Sequence, residues 1–295
     1  MKNKTIFQYS FGFAVAAIIL TAVLFLSNTY TVYPTKIPSK TIFEHMLYSD
    51  SAIFLKESSY YSSAMVSRST HIWTAVFLPM LTSIPYLLIF ASEMKGNYRL
   101  KAARIGSFNK YWNRVFFKSG LLGAGCVTAG YTIFSIAVFS YFPHMSEYLT
   151  EAPIRASIYE MISVRYPLNG VLNRLFNNTE SELLYWLPWA FNVFVFSFLV
   201  SVICLTLYLL IMNRYKAIGM PMIVLYLAEQ FATRKLADTL NPKYQILSPQ
   251  SLLMNAEYTF SNFGINGLWY FVFFALAAGV FYFAGRALFR KRVTN

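Results

Sequence analysis

The sequence predicts an all-α integral membrane protein with six transmembrane helices. Both termini lie on the cytoplasmic side, and one amphipathic cytoplasmic helix falls between spans 2 and 3. Three observations carry this expectation. Of the 295 residues, 57% are hydrophobic and 13% are charged, and that charged share is about half of what a soluble domain carries. Apolar stretches near the roughly 20 residues needed to cross the hydrocarbon core recur along the chain. Lys and Arg concentrate in alternate connecting segments. The same numbers exclude other classes. A disordered chain is poor in apolar residues, and 13 Gly and 11 Pro are ordinary counts. Two Cys cannot staple a secreted disulfide scaffold.

Six stretches qualify as spans within a single transmembrane domain, residues 1–295. Span 1 covers about 7–26, span 2 about 71–92 and span 3 about 119–141. Span 4 covers about 184–212, span 5 about 217–232 and span 6 about 267–288. Span 1 also resembles a secretory signal, because Lys2 and Lys4 precede an apolar run. The run is long for a signal core, and no small-x-small cleavage site precedes Ser27-Asn28-Thr29, so an uncleaved anchor is expected. Span 5 is short and contains Glu229, so it either crosses or enters and turns back. Pro79, Pro85, Pro188 and Pro221 are expected to kink or begin their helices.

Orientation follows from charge. Segments 1–6, 93–118, 213–216 and 286–295 hold fifteen Lys and Arg and one acid, Glu93. Segments 27–70, 142–183 and 233–266 hold ten of each sign. Basic residues mark the cytoplasmic side, so the first set lies inside and the second outside. The inside segments thus carry 15 − 1 = +14 and the outside segments 0, which with Glu229 makes the chain's +13, so the positive charge lies on one membrane face, where it attracts anionic lipid. Nucleic acid is not an expected partner.

Several chemistries lack their residues. No GxxxxGK[ST] loop is present to hold ATP, and no HExxH is present. His45, His71 and His144 have no metal-ligand spacing, and no cofactor or metal is expected on this chain. Cys126 and Cys204 fall inside spans and read as small apolar residues. No GxSxG motif occurs, and Glu229 is the one acid at membrane depth, so no carboxylate pair is available for catalysis. An enzyme is therefore not expected. An intramembrane acid is a functional candidate by default; equally, Glu229 sits near the end of span 5, where it could bond a neighbouring helix. Span 3 opens with Ser119/Gly123 and Gly120/Ala124, small-xxx-small pairs that allow close helix approach.

The inside segment Glu93–Lys118 reads EMKGNYRLKAARIGSFNKYWNRVFFK. Leu100, Ala103, Ile105 and Phe108 fit one face of a short surface helix. Tyr111, Trp112, Val115, Phe116 and Phe117 then lead into span 3, with Trp and Tyr at headgroup level. An ordinary lipid-facing loop has the same charge.

Glu93, Gly96, Arg104, Tyr111 and Lys118 form an acid, a Gly, then Arg, Tyr and Lys leading into a helix. A second stretch, LNPKYQILSPQSLLMN at 240–255, precedes the last span. In these motifs and in its layout the chain resembles the membrane subunit of type-2 ATP-binding-cassette transporters, in particular bacterial members linked to peptide export and self-immunity. Its short segment before span 1 and its long outer segments differ from many members. The resemblance implies that the 93–118 loop is a coupling helix docking into a soluble ATPase subunit, which carries ATP and Mg. Glu93, Gly96, Arg104, Tyr111, Trp112 and Lys118 would serve that docking. It also implies a second permease subunit, a multi-pass location in the bacterial cytoplasmic membrane, and export of a hydrophobic peptide, lipid or drug. The competing expectations are an immunity or sensor protein that binds an antimicrobial peptide without transport, and a membrane enzyme using Glu229 or the His residues.

Overall fold

The computed structural model describes residues 2–30, 40–48, 66, 72–94, 108–142, 182–237, 247–253 and 269–294, which are almost entirely helical. Helix α1 covers Lys2–Leu26. Strands β1 (Thr29–Tyr30) and β2 (Lys40–Thr41) pair antiparallel, with Thr29 opposite Thr41, and lead into α2 (Ile42–Tyr48). Thr41 and Glu44 form a reciprocal cap on α2. The Thr41 amide donates to Glu44 Oε2 (2.8 Å), and the Glu44 amide donates to Thr41 Oγ1 (3.1 Å).

Helices α3 (Ile72–Ser83) and α4 (Leu87–Met94) occupy span 2 and meet at a 43° bend. The break falls at Ile84-Pro85-Tyr86, where proline has no amide hydrogen to continue the ladder. Pro79 sits inside α3 without ending it. Its carbonyl accepts from the Thr82 hydroxyl at 3.4 Å.

Helix α5 (Phe108–Tyr141) is the longest. It begins at Phe108 rather than 119, so the end of the expected loop is helix. Tyr111, Trp112, Val115, Phe116 and Ser119 are all buried, a spacing of i, i+1, i+4, i+5 and i+8 that keeps one helical face inside. No acid sits in its first turn, whereas Lys110 and Arg114 lie near that end. Cations oppose the dipole there, so this extension depends on its buried aromatic face.

Helix α6 (Glu182–Ile211) is followed after two residues by α7 (Arg214–Gln230). Met212 makes the turn in the left-handed region (φ 57), and Asn213 caps α7 by accepting from the amides of Tyr215 (3.0 Å) and Lys216 (3.2 Å). Pro221 lies inside α7. The chain continues as π-helical turns over Phe231–Ala237, and a helical turn covers 249–253. The last helix, α8, is Trp269–Thr294.

Among the described residues three helices are long and apolar enough to cross a membrane: α5, Trp189–Ile211 of α6, and Trp269–Arg292 of α8. The bent α3–α4 pair makes a fourth if it is one broken span rather than a re-entrant loop, and Phe11–Leu26 of α1 is a shorter apolar helix.

Helix α5 is central, packing most extensively on α6 and α1. The contacts are backbone-close. A Cβ on Gly123 would lie 2.6 Å from the Thr82 carbonyl oxygen and 2.8 Å from Ser201 Oγ. At Gly130 it would lie 2.6 Å from the Ile18 carbonyl oxygen. At the Gly123 crossing the Ser201 hydroxyl also donates to the Ser119 carbonyl, one turn earlier on α5, at 2.9 Å. Small residues and hydroxyl bonds of this kind replace the hydrophobic effect as the glue between helices in lipid. Cys126 and Cys204 are buried free thiols in this interior. Burial separates centre from rim: half or more of the apolar windows of α5 and α6 is buried, against 6% for α8. Leu276, Val280 and Phe283 of α8 are each more than 60% exposed, a surface suited to acyl chains.

Candidate functional site

The end of α4, the start of α5, the end of α6, the start of α7 and the end of α8 gather at one end of the bundle. The Tyr208 hydroxyl of α6 donates to the Ala91 carbonyl of α4 (3.2 Å). Arg286 of α8 donates to Asn109 of α5 (2.8 Å), and Arg292 to the Leu210 carbonyl of α6 (3.3 Å). Tyr282 and Asn113 are also hydrogen-bonded. Lys110, Arg114, Lys118, Arg214, Lys216, Arg286, Arg290, Lys291 and Arg292 lie on this end, and among the described residues Glu93 is its one acid.

Phe289 organises the interior of this end. It is fully buried and touches the rings of Phe108 (5.4 Å), Tyr111 (5.7 Å), Trp112 (5.7 Å) and Phe90 (6.4 Å). One side chain of α8 thus bridges α4 and α5. Phe90 continues the cluster to Tyr208 of α6 (6.0 Å) and to Tyr86 (5.9 Å). Each such pair adds about 0.5–1.5 kcal/mol beyond its area burial. Gly285 lets the cluster close, because a Cβ there would lie 2.7 Å from the Trp112 ring.

Four of the sequence-predicted residues converge here. Glu93 lies within electrostatic reach of Tyr86 and Tyr111. Lys118 holds its ammonium 5.3 Å from the centre of the Tyr86 ring, a cation–π contact. Tyr111 and Trp112 are buried, so they act on this end by packing α5 against α8 rather than by offering surface. The Trp112 indole N–H is buried without a hydrogen-bond partner. Gly96 and Arg104 lie outside the described residues, as does the stretch predicted to form the amphipathic cytoplasmic helix. Sequence reasoning did not single out Phe289, Phe90, Tyr208 or Gly285. With 28 Phe and 22 Tyr in the chain, no compositional contrast marks one ring among so many.

Glu229 lies toward the opposite end and is buried (2% exposed). Its Oε2 accepts from the Gln250 amide at 2.9 Å, and its carboxylate also bonds the Ser248 side chain. Ser248 in turn accepts from the Ser251 amide at 3.2 Å. Glu229 and Ser248 thus satisfy first-turn amides of the 249–253 turn, and the carboxylate pins that turn to α7. This is the neighbour-bonding role open to Glu229 from the sequence. Among the described residues no group of three or more His, Cys, Asp or Glu is placed to hold a metal ion.

In comparisons with known proteins, no family model, curated protein or solved structure matches this chain. Its class rests on its own helices: it is an α-helical, multi-pass membrane protein.

Proposed function

We propose that this chain is the permease subunit of an ATP-driven exporter of the type-2 ATP-binding-cassette class. It moves a hydrophobic peptide, lipid or drug across the bacterial cytoplasmic membrane with a separate ATPase subunit. In this reading α1, α3–α4, α5, α6, α7 with its π-helical turns, and α8 are the six spans. The cationic end is cytoplasmic, and the chain itself holds no cofactor.

One observation supports this reading above the others: Phe289 joins the ends of α4 and α5, the two helices that flank the 93–118 loop. A partner that pulled on this loop would move α4, α5 and α8 together. Stacked rings tolerate small sliding better than directional hydrogen bonds do, so the cluster transmits tilt without breaking. The bend at Pro85 gives α4 a hinge. Glu93 lies at the α4 root of the loop, Lys118 lies about three turns into α5, and Gly96 and Arg104 supply the docking contacts.

The test is purification of the tagged chain from its native cell in nanodiscs, with bound chains identified by mass. A soluble ATPase in equal amount supports the proposal, and Arg104→Glu should then weaken its retention while the spans stay folded. Recovery of the chain alone, or with only a small peptide, would favour an immunity or sensor protein.

A further inference from the structure

A shallow, open groove of about 800 Å³ lies against α7 and the π-helical turns after it. Its lining includes Val224, Tyr226, Leu227, Gln230, Phe231 and Lys235. Val224, Leu227, Phe231 and Lys235 follow one another at intervals of three, four and four residues, so they lie along one helical face. The first three are each more than half exposed. Tyr226 forms a wall held in place by stacking on Trp73 (6.1 Å, 15°).

The stripe has a direction. It is apolar from Val224 to Phe231 and ends at Lys235, which is exposed and has no ion-pair or hydrogen-bond partner among the described residues. The nearby acid, Glu229, points elsewhere, onto Gln250 and Ser248. From Val224 to Lys235 the stripe rises somewhat less than the roughly 16 Å that about 1.5 Å per residue would give, because the π-helical turns from Phe231 are wider and flatter. That is close to the hydrocarbon depth of one leaflet, about 15 Å. An ammonium one leaflet from the apolar end of a groove stands where a lipid headgroup sits, and it carries the charge that attracts a phosphate.

We infer that this groove binds one phospholipid with an anionic headgroup. Its acyl chain lies along Val224, Leu227 and Phe231, its phosphate meets Lys235, and the Gln230 amide is available to its ester oxygens. The site lies at the end of the bundle opposite the cationic cluster, and it requires no ATPase partner.

The test uses the full chain in nanodiscs made with phosphatidylglycerol or phosphatidylcholine carrying a photoreactive group on the acyl chain. Cross-linked peptides are then mapped. Labelling of 224–235 should be about fivefold stronger with the anionic lipid, the factor one Lys near a lipid surface supplies. K235Q should remove that preference and K235R should keep it. Equal labelling by the two lipids in the unaltered chain would overturn the inference, as would a preference that survives K235Q. Loss of the preference in both variants would assign the effect to packing rather than charge, and overturn it too. Glycerol phosphate should not compete. If it does, the site recognises a free headgroup and the acyl groove has no part in it.

Discussion

The two ends of the bundle are held by different chemistry. At the cationic end the buried contacts are mostly rings, with Phe289 at their centre, and most inter-helix hydrogen bonds lie on the exposed rim. At the opposite end rings pack as well, with buried Phe25 against Tyr131 and Phe134, but buried directional polar contacts join them. Thr74 donates to Asn28 Oδ1 (3.1 Å), Tyr270 bonds Asn192, and Gln250 donates to Glu229 (2.9 Å). Ring packing falls off gently as surfaces slide, whereas a hydrogen bond weakens steeply once its angle fails. The difference is where the polar bonds lie: mostly on the exposed rim at the cationic end, and buried beside the rings at the other.

The largest expected effect is at the hub of the ring cluster. Phe289→Ala should destabilise the bundle by about 3–5 kcal/mol, the usual cost of a large core truncation. Thermal unfolding in detergent measures it. A loss near the value of an exposed Phe such as Phe283 would remove the hub from the comparison.

At the polar end, Glu229→Ala should cost about 1–3 kcal/mol by leaving first-turn amides unsatisfied. Glu229→Gln should recover much of this, because its amide oxygen can still accept from Gln250. Hydrogen exchange over 247–253 resolves the effect locally, with faster exchange expected in the Ala variant and little change near Phe289. Equal loosening of both ends would show that they are one cooperative unit.

Smaller effects sharpen the picture. Met212→Gly should stabilise the α6–α7 turn by up to about 1 kcal/mol, because glycine adopts the left-handed conformation without a Cβ clash. Its unfolding temperature should rise, and a fall would mean that the Met212 side chain contributes more than its backbone strain costs. Lys118→Gln removes the cation over Tyr86 and should cost about 0.5–1 kcal/mol. A larger loss would mark Lys118 as part of a network with Glu93.

How much was legible differs between fold and site. Span 2 was expected over 71–92 and appears as α3 and α4, broken at Pro85 as a missing amide requires. The helix that carries span 3 extends back to Phe108, where Tyr111, Trp112, Val115 and Phe116 hold a helical spacing that Lys110, Arg114 and Lys118 mask in the sequence. The small-residue pair Ser119/Gly123 was visible as a packing surface, but not the helices it would meet. Glu229 was visible as costly, but its partner Gln250 lies 21 residues away, across a turn no local pattern specifies.

By itself the sequence determined the all-helical membrane class, the break at Pro85 and the clustering of positive charge. These follow from local quantities: the apolar length of a segment, the missing amide of a proline, and the sign of each side chain. Only the tertiary structure decided that Phe289 meets Phe90 and Trp112, that Gly285 makes room for them, and that Glu229 is a cap. In a chain this rich in aromatic residues any ring could pack on any other, and which do is settled by the crossing of whole helices at Gly123 and Gly130.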